Sequence, residues 1–239
     1  MTISFNMQIL AGVLVGICSY FIGNINNAVM ISKMKGKDIR TCGSGNPGTM
    51  NMIRTFGKLI GATTLVLDVL KGVLPCLLGW LFMGNGQFLR LGTDRMGIYV
   101  AGICVTIGHI YPAVMKFKGG KGVATILGVC LTMQPLWTIG FFAFGLLFLF
   151  LTKIGSITSF IMMCAPLTVE GLVAAQNPTS GIACTVIVFC MFALSLFAHR
   201  ANLVKMFSGR EGQVVLKKPK KKKPPVDSLV VFDKRVIAE

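Results

Sequence analysis

The sequence predicts an all-α, polytopic membrane protein with seven transmembrane helices, and three observations support this fold class. Hydrophobic residues make up 54% of the 239-residue chain and charged residues only 13%, a composition outside the usual range of soluble domains. The apolar residues occur in runs of about 20, the length that spans a bilayer. The basic residues lie between these runs and near the C-terminus, which is typical of membrane topology.

Five apolar runs predict simple transmembrane helices. The first run has no basic segment before it and no small-residue cleavage site after it, so we expect a retained helix rather than a signal peptide. The five predicted helices lie near residues 3–30, 57–83, 96–115, 157–176 and 181–198.

One further apolar stretch, residues 122–151, is too long for a single simple span. It contains Pro135, and a proline inside a helix removes a hydrogen bond and clashes with the preceding turn. A single tilted helix here gives six helices in total, whereas a break at Pro135 gives seven.

The helix count decides which polar segments share a side of the membrane. With six helices, the C-terminal polar segment lies opposite the earlier polar loops. With seven, every basic residue except Arg90 and Arg95 falls on one side, if Lys71 in the second helix is counted there. The positive-inside rule makes that side cytoplasmic. We therefore predict seven helices, an external N-terminus and a cytoplasmic C-terminus.

The chain divides into a transmembrane domain, residues 1–213, and a basic tail, residues 214–239. The tail has a lysine-rich run at residues 217–223 interleaved with prolines, so we expect it to be disordered. Each basic residue near an anionic leaflet contributes roughly 1 kcal/mol of attraction, which favours a lipid-surface role. No aromatic residue interleaves with the lysines, so nucleic-acid binding is not predicted.

A glycine-rich segment at residues 38–54 is the first candidate for chemistry. Glycines let backbone amides approach an anion, and a following helix N-terminus adds positive potential. Gly43, Gly45 and Gly48 formally fit a dinucleotide-binding fingerprint, but no strand precedes them. A solvated turn between helices is the other alternative. The candidate binding residues of this segment are Gly43, Ser44, Gly45, Asn46, Asn51 and Arg54.

A second glycine-rich segment follows the third predicted helix. It is not a Walker A loop, because Gly122 follows Lys121 where that motif has Ser or Thr. It still resembles a phosphate cradle, in which glycines expose amides and a lysine supplies charge. Lys116 and Lys118, taken alone, would only indicate that this loop lies on the cytoplasmic side. The candidate residues are His109, Lys116, Gly119, Gly120, Lys121 and Gly122.

A third segment begins where the last apolar helix ends, at His199, and includes Asn202. A histidine where a transmembrane helix reaches water is commonly a surface residue at the membrane interface. The alternative is that His199 has a catalytic role. No cysteine or histidine spacing fits a metal site, and we predict no metal and no cofactor.

Three ionisable residues lie inside apolar helices. Asp68 and Lys71 are three residues apart and share a helix face, so they can neutralise each other; they either border the site or are structural. Glu170 lies near the end of its helix and is expected at the membrane interface.

Taken together, these motifs resemble the bacterial integral-membrane glycerol-3-phosphate acyltransferases that use acyl phosphate. The family pattern GSGNxGATN followed by Arg is similar to residues 43–54, although Thr49 and Met50 replace the usual Ala and Thr. The pattern GHxxP followed by FxGGKGVAT is similar to residues 108–125. Shorter similarities are the DxxKG element at residues 68–72, the serines Ser156 and Ser159, and the third segment, where Ala198 and Lys205 stand in place of arginines.

The resemblance implies attack of the glycerol 3-phosphate sn-1 hydroxyl on acyl phosphate, giving lysophosphatidic acid and phosphate in phospholipid synthesis. It implies that residues 119–122 bind glycerol 3-phosphate and that Ser44, Asn51 and Arg54 serve the acyl phosphate or the transition state. Ser156 would also bind substrate. His199 and Asn202 would polarise or position reacting groups. Asp68, Lys71 and Glu211 would be structural, with Glu211 pairing with Arg54 or Lys121. The general base stays open between a histidine and a substrate phosphate oxygen.

The implied location is the bacterial plasma membrane, with the site facing the cytoplasm. The implied partners are the two substrates, membrane lipids and a soluble enzyme that supplies acyl phosphate. The rival function is a transporter or exchanger of organic phosphates, which needs access from both faces. A lipid-binding scaffold that uses the tail would leave the glycine-rich segments unexplained.

Overall fold

The computed structural model describes residues 5–83, 95–176 and 181–208. Within these ranges the protein is all helical, as predicted, and contains no strand. The helices are α1 Phe5–Asn24, α2 Asn27–Met34, α3 Thr49–Phe56, α4 Lys58–Met83, α5 Met96–Ile110, α6 Val123–Met133, α7 Pro135–Thr152, α8 Gly155–Ala175, α9 Gly181–Ala198 and α10 Arg200–Phe207. Two short 3-10 turns lie at Ile39–Thr41 and Ala113–Met115.

Six segments of the described chain are long and apolar enough to cross a membrane. Helix α6, with 11 residues, is shorter than these; at 1.5 Å per residue it extends over roughly 17 Å, against a hydrocarbon core of about 30 Å. The count of seven spans and the orientation of the termini therefore stay predictions. The six segments are Ile9–Met34, Lys58–Met83, Met96–Met115, Pro135–Thr152, Gly155–Ala175 and Gly181–Ala198.

Two predicted helices end earlier than their apolar runs. The first ends at Asn24 rather than near residue 30, because the Asn26 side chain accepts a hydrogen bond from the Val29 amide, 2.9 Å, and starts α2 as its N-cap. The third ends at Ile110 rather than near residue 115, since Pro112 follows and cannot continue the helix.

The predicted break at Pro135 is present. Helix α6 ends at Met133, and Gln134 leaves the helical conformation with φ −138° and ψ 74°. Pro135 then opens α7 at its first position, where the missing amide hydrogen has no intrahelical acceptor to lose.

Helix α6 lies at the centre of the molecule and packs against α4, α5, α7 and α8. It crosses α4 with backbone almost in contact: a Cβ on Gly72 would overlap the carbonyl oxygen of Thr125, and one on Gly128 would overlap that of Val69. Small residues at such crossings let membrane helices approach closely. Because Gly72 lies halfway along α4, the first turn of α6 begins at that level. The polar loop before α6 is therefore recessed between helices.

The other end of α6 is held by a buried polar cluster. An Arg95 nitrogen, Nη2, donates to the Met133 carbonyl over 2.6 Å, and Nη1 lies 3.6 Å from Glu170 Oε1. The Tyr99 hydroxyl also donates to Glu170. Glu170 is fully buried beneath α5. Its position at the level of the membrane interface stays a prediction.

Candidate functional site

The three polar segments of the sequence meet at one end of the helix bundle. A Cβ on Gly120 would lie 3.2 Å from the Pro47 carbonyl oxygen, so the second segment packs on the first. The Lys121 ammonium donates to Asn202 Oδ1 over 2.6 Å, and Asn202 Nδ2 donates to Ser156 Oγ over 2.8 Å. The site is therefore built from the loop before α6, the start of α8 and the start of α10, beside the first segment.

Asn51 organises the first segment. Its Oδ1 accepts the Ser44 amide, 3.1 Å, and its Nδ2 donates to the carbonyl oxygens of Ile39 and Cys42, 3.2 and 2.9 Å. The side chain is 1% exposed. Asn51 was expected to contact substrate; its polar atoms instead hold the loop that presents Ser44.

The loop around Ser44 depends on glycine. Gly43 and Gly45 have φ of +54° and +70°, the left-handed region that side chains disfavour. A Cβ on Gly43 would also overlap Asn51 Oδ1. Ser44 is exposed and Asn46 half-buried. Arg54, in α3, is exposed and forms no hydrogen bond or ion pair with another described residue.

The second segment uses its glycine amides differently from the prediction. The Gly119 amide donates to the Ile110 carbonyl and the Gly120 amide to the His109 carbonyl, both over 3.1 Å. These two amides fold the loop back on α5 rather than facing outward for phosphate. The donors that remain are at the start of α6, where Gly122 has φ +85° and no side chain caps the helix. The first amides of a helix have no intrahelical acceptor and carry the positive end of its dipole.

Lys116 takes a left-handed conformation, φ 52°, and its side chain is exposed. Lys121 is half-buried and bonded to Asn202. Of the lysines in this segment, Lys121 is thus the one that the structure brings to the third segment.

His199 is buried rather than on the surface. It is 1% exposed, its ring centroid lies 5.1 Å from that of Phe160, and Nδ1 donates to the Ser195 carbonyl over 2.9 Å. Burial lowers the pKa of His199 to about 4; the Ser195 carbonyl opposes this shift and the nearby Lys121 adds to it. The ring is therefore neutral at pH 7, and its Nε2 carries a lone pair.

Asp68 and Lys71 neutralise each other, as their spacing predicts. The Lys71 ammonium lies 3.2 Å from Asp68 Oδ1, and both side chains are buried. The ammonium also contacts His109 Nδ1, at 2.8 Å. A Cβ on Gly120 would overlap His109 Nε2, so this buried pair reaches the edge of the site through the histidine.

Glu211, Arg90 and the tail at residues 214–239 lie outside the described residues. Among the basic residues that the structure does describe, Arg95 is alone at the far end of the bundle, and Lys71 lies midway along α4. The others lie at the end that holds the site.

The fold and site together define a polytopic membrane protein with a basic, glycine-rich polar centre recessed at one end. The sequence model of the family described as glycerol-3-phosphate acyltransferase matches residues 13–209. A glycerol-3-phosphate acyltransferase of Clostridioides difficile is 36% identical over 214 residues, covering 89% of this chain and all of that protein. One of Pseudomonas paraeruginosa is 39% identical over 200 residues, covering 83% of this chain and 97% of that protein.

The solved structures agree with these sequence matches. The crystal structure of PlsY, an integral membrane glycerol 3-phosphate acyltransferase in its glycerol 3-phosphate form, matches with a TM-score of 0.71 and 30% identity, covering 84% of this chain and 94% of that one. Its lysophosphatidic acid form matches with a TM-score of 0.69 and 29% identity. The chain belongs to the glycerol-3-phosphate acyltransferase family and is a multi-pass membrane acyltransferase.

Proposed function

We propose that the protein transfers an acyl group from acyl phosphate to the sn-1 hydroxyl of glycerol 3-phosphate, giving lysophosphatidic acid and inorganic phosphate. The observation that carries this proposal is the bonded series Lys121, Asn202 and Ser156 beside the neutral His199 at the start of α6. The solved relatives described as glycerol 3-phosphate and lysophosphatidic acid forms support the acceptor and the product.

Glycerol 3-phosphate binds at the start of α6. The Lys121 ammonium is held by Asn202 over 2.6 Å, which fixes a point charge next to the helix N-terminus. A cation and a helix N-terminus together favour a phosphate dianion. Ser156, which accepts a hydrogen bond from Asn202 Nδ2, lies within reach of the same ligand. The uncharged part of the ligand then extends toward His199.

The acyl phosphate binds beside the first segment. Ser44 and Arg54 are exposed there, and Pro47 contacts the Lys121 loop through Gly120. This arrangement holds two phosphate groups side by side, so the hydroxyl and the carbonyl carbon meet between them. Positioning of this kind accounts for a large part of the acceleration in a two-substrate transfer.

The transfer breaks one carbon–oxygen bond and forms another. The sn-1 hydroxyl oxygen attacks the carbonyl carbon, and the phosphate leaves with the electron pair of the bond that joined it to the acyl group. The hydroxyl proton passes either to the lone pair of His199 Nε2 or to an oxygen of the leaving phosphate. A neutral His199 suits the first route, since its Nδ1 proton already bonds Ser195.

The acyl chain lies in an apolar groove between α4, α6 and α7, with a cavity volume of about 260 Å³. The groove begins near the first turns of α6, where the phosphates bind, and continues toward the Pro135 end of α7. It is open to the bilayer, which would admit a lipid-like donor from the side. Its lining residues are Leu65, Val66, Val69, Leu70, Leu127, Leu131, Thr138, Ile139 and Phe142.

We also propose that the protein lies in the bacterial plasma membrane with this site facing the cytoplasm. The described basic residues, most of which lie at the site end, support this orientation through the positive-inside rule. Membrane lipids surround it, and a soluble enzyme supplies the acyl phosphate.

The proposal is tested with purified protein in lipid nanodiscs given palmitoyl phosphate and glycerol 3-phosphate. We expect equal amounts of phosphate and 1-acyl lysophosphatidic acid, measured by colorimetry and mass spectrometry, and no product from palmitoyl-CoA. Product from palmitoyl-CoA would contradict the donor assignment. Uptake of glycerol 3-phosphate into vesicles without lysolipid would instead support the transporter alternative.

The groove predicts a chain-length effect for Leu131→Trp, which places an indole among its lining residues toward the Pro135 end. Each methylene that loses burial costs about 0.8 kcal/mol, so displacing two lowers binding about tenfold. We expect the ratio of kcat/KM for palmitoyl phosphate over decanoyl phosphate to fall about tenfold. The control Leu147→Trp lies on an exposed face of α7 and should leave the ratio unchanged; equal ratios in both variants would place the chain elsewhere.

A further inference from the structure

The Lys71 ammonium is surrounded by three acceptors inside the helix bundle. It lies 2.7 Å from the Ile25 carbonyl oxygen, 2.8 Å from His109 Nδ1 and 3.2 Å from Asp68 Oδ1. An ammonium has three hydrogens and no acceptor, so these contacts use all of them. Asp68 Oδ1 also accepts from Asn27 Nδ2 over 2.8 Å, which fixes the carboxylate against α2.

This geometry determines which nitrogen of His109 carries the proton. Since Lys71 only donates, His109 Nδ1 must accept, and the proton of the neutral ring is on Nε2. His199 has the opposite arrangement, because its Nδ1 donates to Ser195. The chain thus holds one histidine as an Nε2 donor and the other as an Nε2 acceptor.

The His109 Nε2 faces the second segment. A Cβ on Gly120 would overlap it, and Gly120 immediately precedes Lys121. The His109 ring is 4% exposed, and Nε2 has no hydrogen-bond acceptor among the described residues. A glycine at this position leaves space for the Nε2 hydrogen to reach a ligand held by Lys121.

We propose that Asp68 and Lys71 are positioning residues for the transfer: they fix His109 with its Nε2 hydrogen directed at the phosphate bound by the Lys121 loop. The identity of that phosphate as glycerol 3-phosphate rests on the function proposed above. Lys71 holds the ring, and Asp68 keeps the buried ammonium paired, since an unpaired buried charge is strongly unfavourable. His109 then adds a neutral donor to the charge that Lys121 provides.

The direct test is nitrogen NMR of protein labelled with ¹⁵N-histidine, which separates the two tautomers by the shifts of the ring nitrogens. The chain has only two histidines, so a His199→Gln spectrum assigns both. In the unsubstituted protein we expect the Nε2 hydrogen on His109 and the Nδ1 hydrogen on His199, and we expect glycerol 3-phosphate to shift the His109 Nε2 signal. An Nδ1 hydrogen on His109 would overturn the proposal, whatever the activity.

Kinetics then separate positioning from a structural role. We expect Lys71→Met to lower kcat/KM for glycerol 3-phosphate about tenfold, mostly through KM, and to have little further effect when His109 is already Gln. An equal loss in both backgrounds would show that Lys71 acts on folding alone and would overturn the proposal. Thr64→Val removes another buried polar group of α4, one that bonds only its own helix, and should leave kcat/KM within about twofold.

The proposal and the function fail in different experiments. If the protein makes no lysolipid but His109 has the Nε2 hydrogen and its signal responds to inorganic phosphate, the acyl transfer is wrong and the positioning stands. If lysolipid forms and His109 responds to neither phosphate nor glycerol 3-phosphate, the positioning is wrong and the function stands.

Discussion

Replacing Lys121 with Met is expected to reduce kcat/KM for acyl transfer by about 10²- to 10³-fold, the usual effect of removing one preorganised charge or donor from a reaction centre. Methionine keeps the length of the side chain but removes the ammonium that bonds Asn202 at 2.6 Å. The ammonium orients Asn202, and in the proposed function it also binds the phosphate. The measurement is initial-rate kinetics with palmitoyl phosphate and glycerol 3-phosphate.

The matched control is Lys118→Met, three residues earlier in the same loop. Lys118 is exposed, so its removal changes the net charge of this face by the same amount without affecting the site. We expect its kcat/KM to stay within about threefold of the unsubstituted protein, in keeping with screening of exposed charges. Similar losses in both variants would mean that Lys121 acts through the general potential of the surface rather than at a defined contact.

The sequence predicted the three segments that contain the residues of the candidate site, but it did not predict which of these residues contact each other. Lys121 and Asn202 are 81 residues apart in the chain, and Asn202 and Ser156 are 46 apart. Their contacts depend on how α6, α8 and α10 pack, and no pattern within a single segment contains that information. Local composition indicated anion binding because glycines, lysine and a following helix are neighbours in sequence.

Local composition was a poorer guide to what individual polar groups do. Asn51, Gly119 and Gly120 were expected to face ligand, yet their polar groups bond the backbone of their own region. A loop that binds an anion and a loop whose polar groups bond its own backbone use the same residue types. Both need backbone conformations that glycine adopts easily, and both need short polar side chains. Only the hydrogen-bond partners distinguish them.

The fold was predictable where hydropathy alone sets a helix. The helix at residues 181–198 has the predicted ends, and the break at Pro135 follows from proline chemistry. The observed helix ends differ from the predicted ends at two places, where the N-cap residue Asn26 starts a new helix and where Pro112 stops one. The burial of Glu170 was not predictable, because it comes from Tyr99 and Arg95, more than 70 residues earlier in the chain, and a hydropathy pattern does not report distant partners.

The second large effect concerns the crossing of α6 and α4. Leucine at Gly128 cannot fit, because even a Cβ there would overlap the Val69 carbonyl oxygen. Overpacking typically costs about 1–3 kcal/mol, and we expect the upper end of this range here because the overlap is with backbone atoms. For a chain of this size we expect the unfolding temperature to fall by about 10 °C, measured with a thiol-reactive dye that reports exposure of the buried Cys76 and Cys130.

Gly140→Leu is the control for this change, since no atom lies within 4 Å of a Cβ at Gly140. It adds the same side chain to an apolar helix, and its unfolding temperature should match that of the unsubstituted protein. Equal unfolding temperatures for Gly128→Leu and the control would mean that the stability of the protein does not depend on the close crossing of α6 and α4. Because Lys121 lies in the loop that leads directly into α6, any Gly128→Leu protein that folds should also show a raised KM for glycerol 3-phosphate. Loss of stability with an unchanged KM would separate the packing of α6 from the placement of the site.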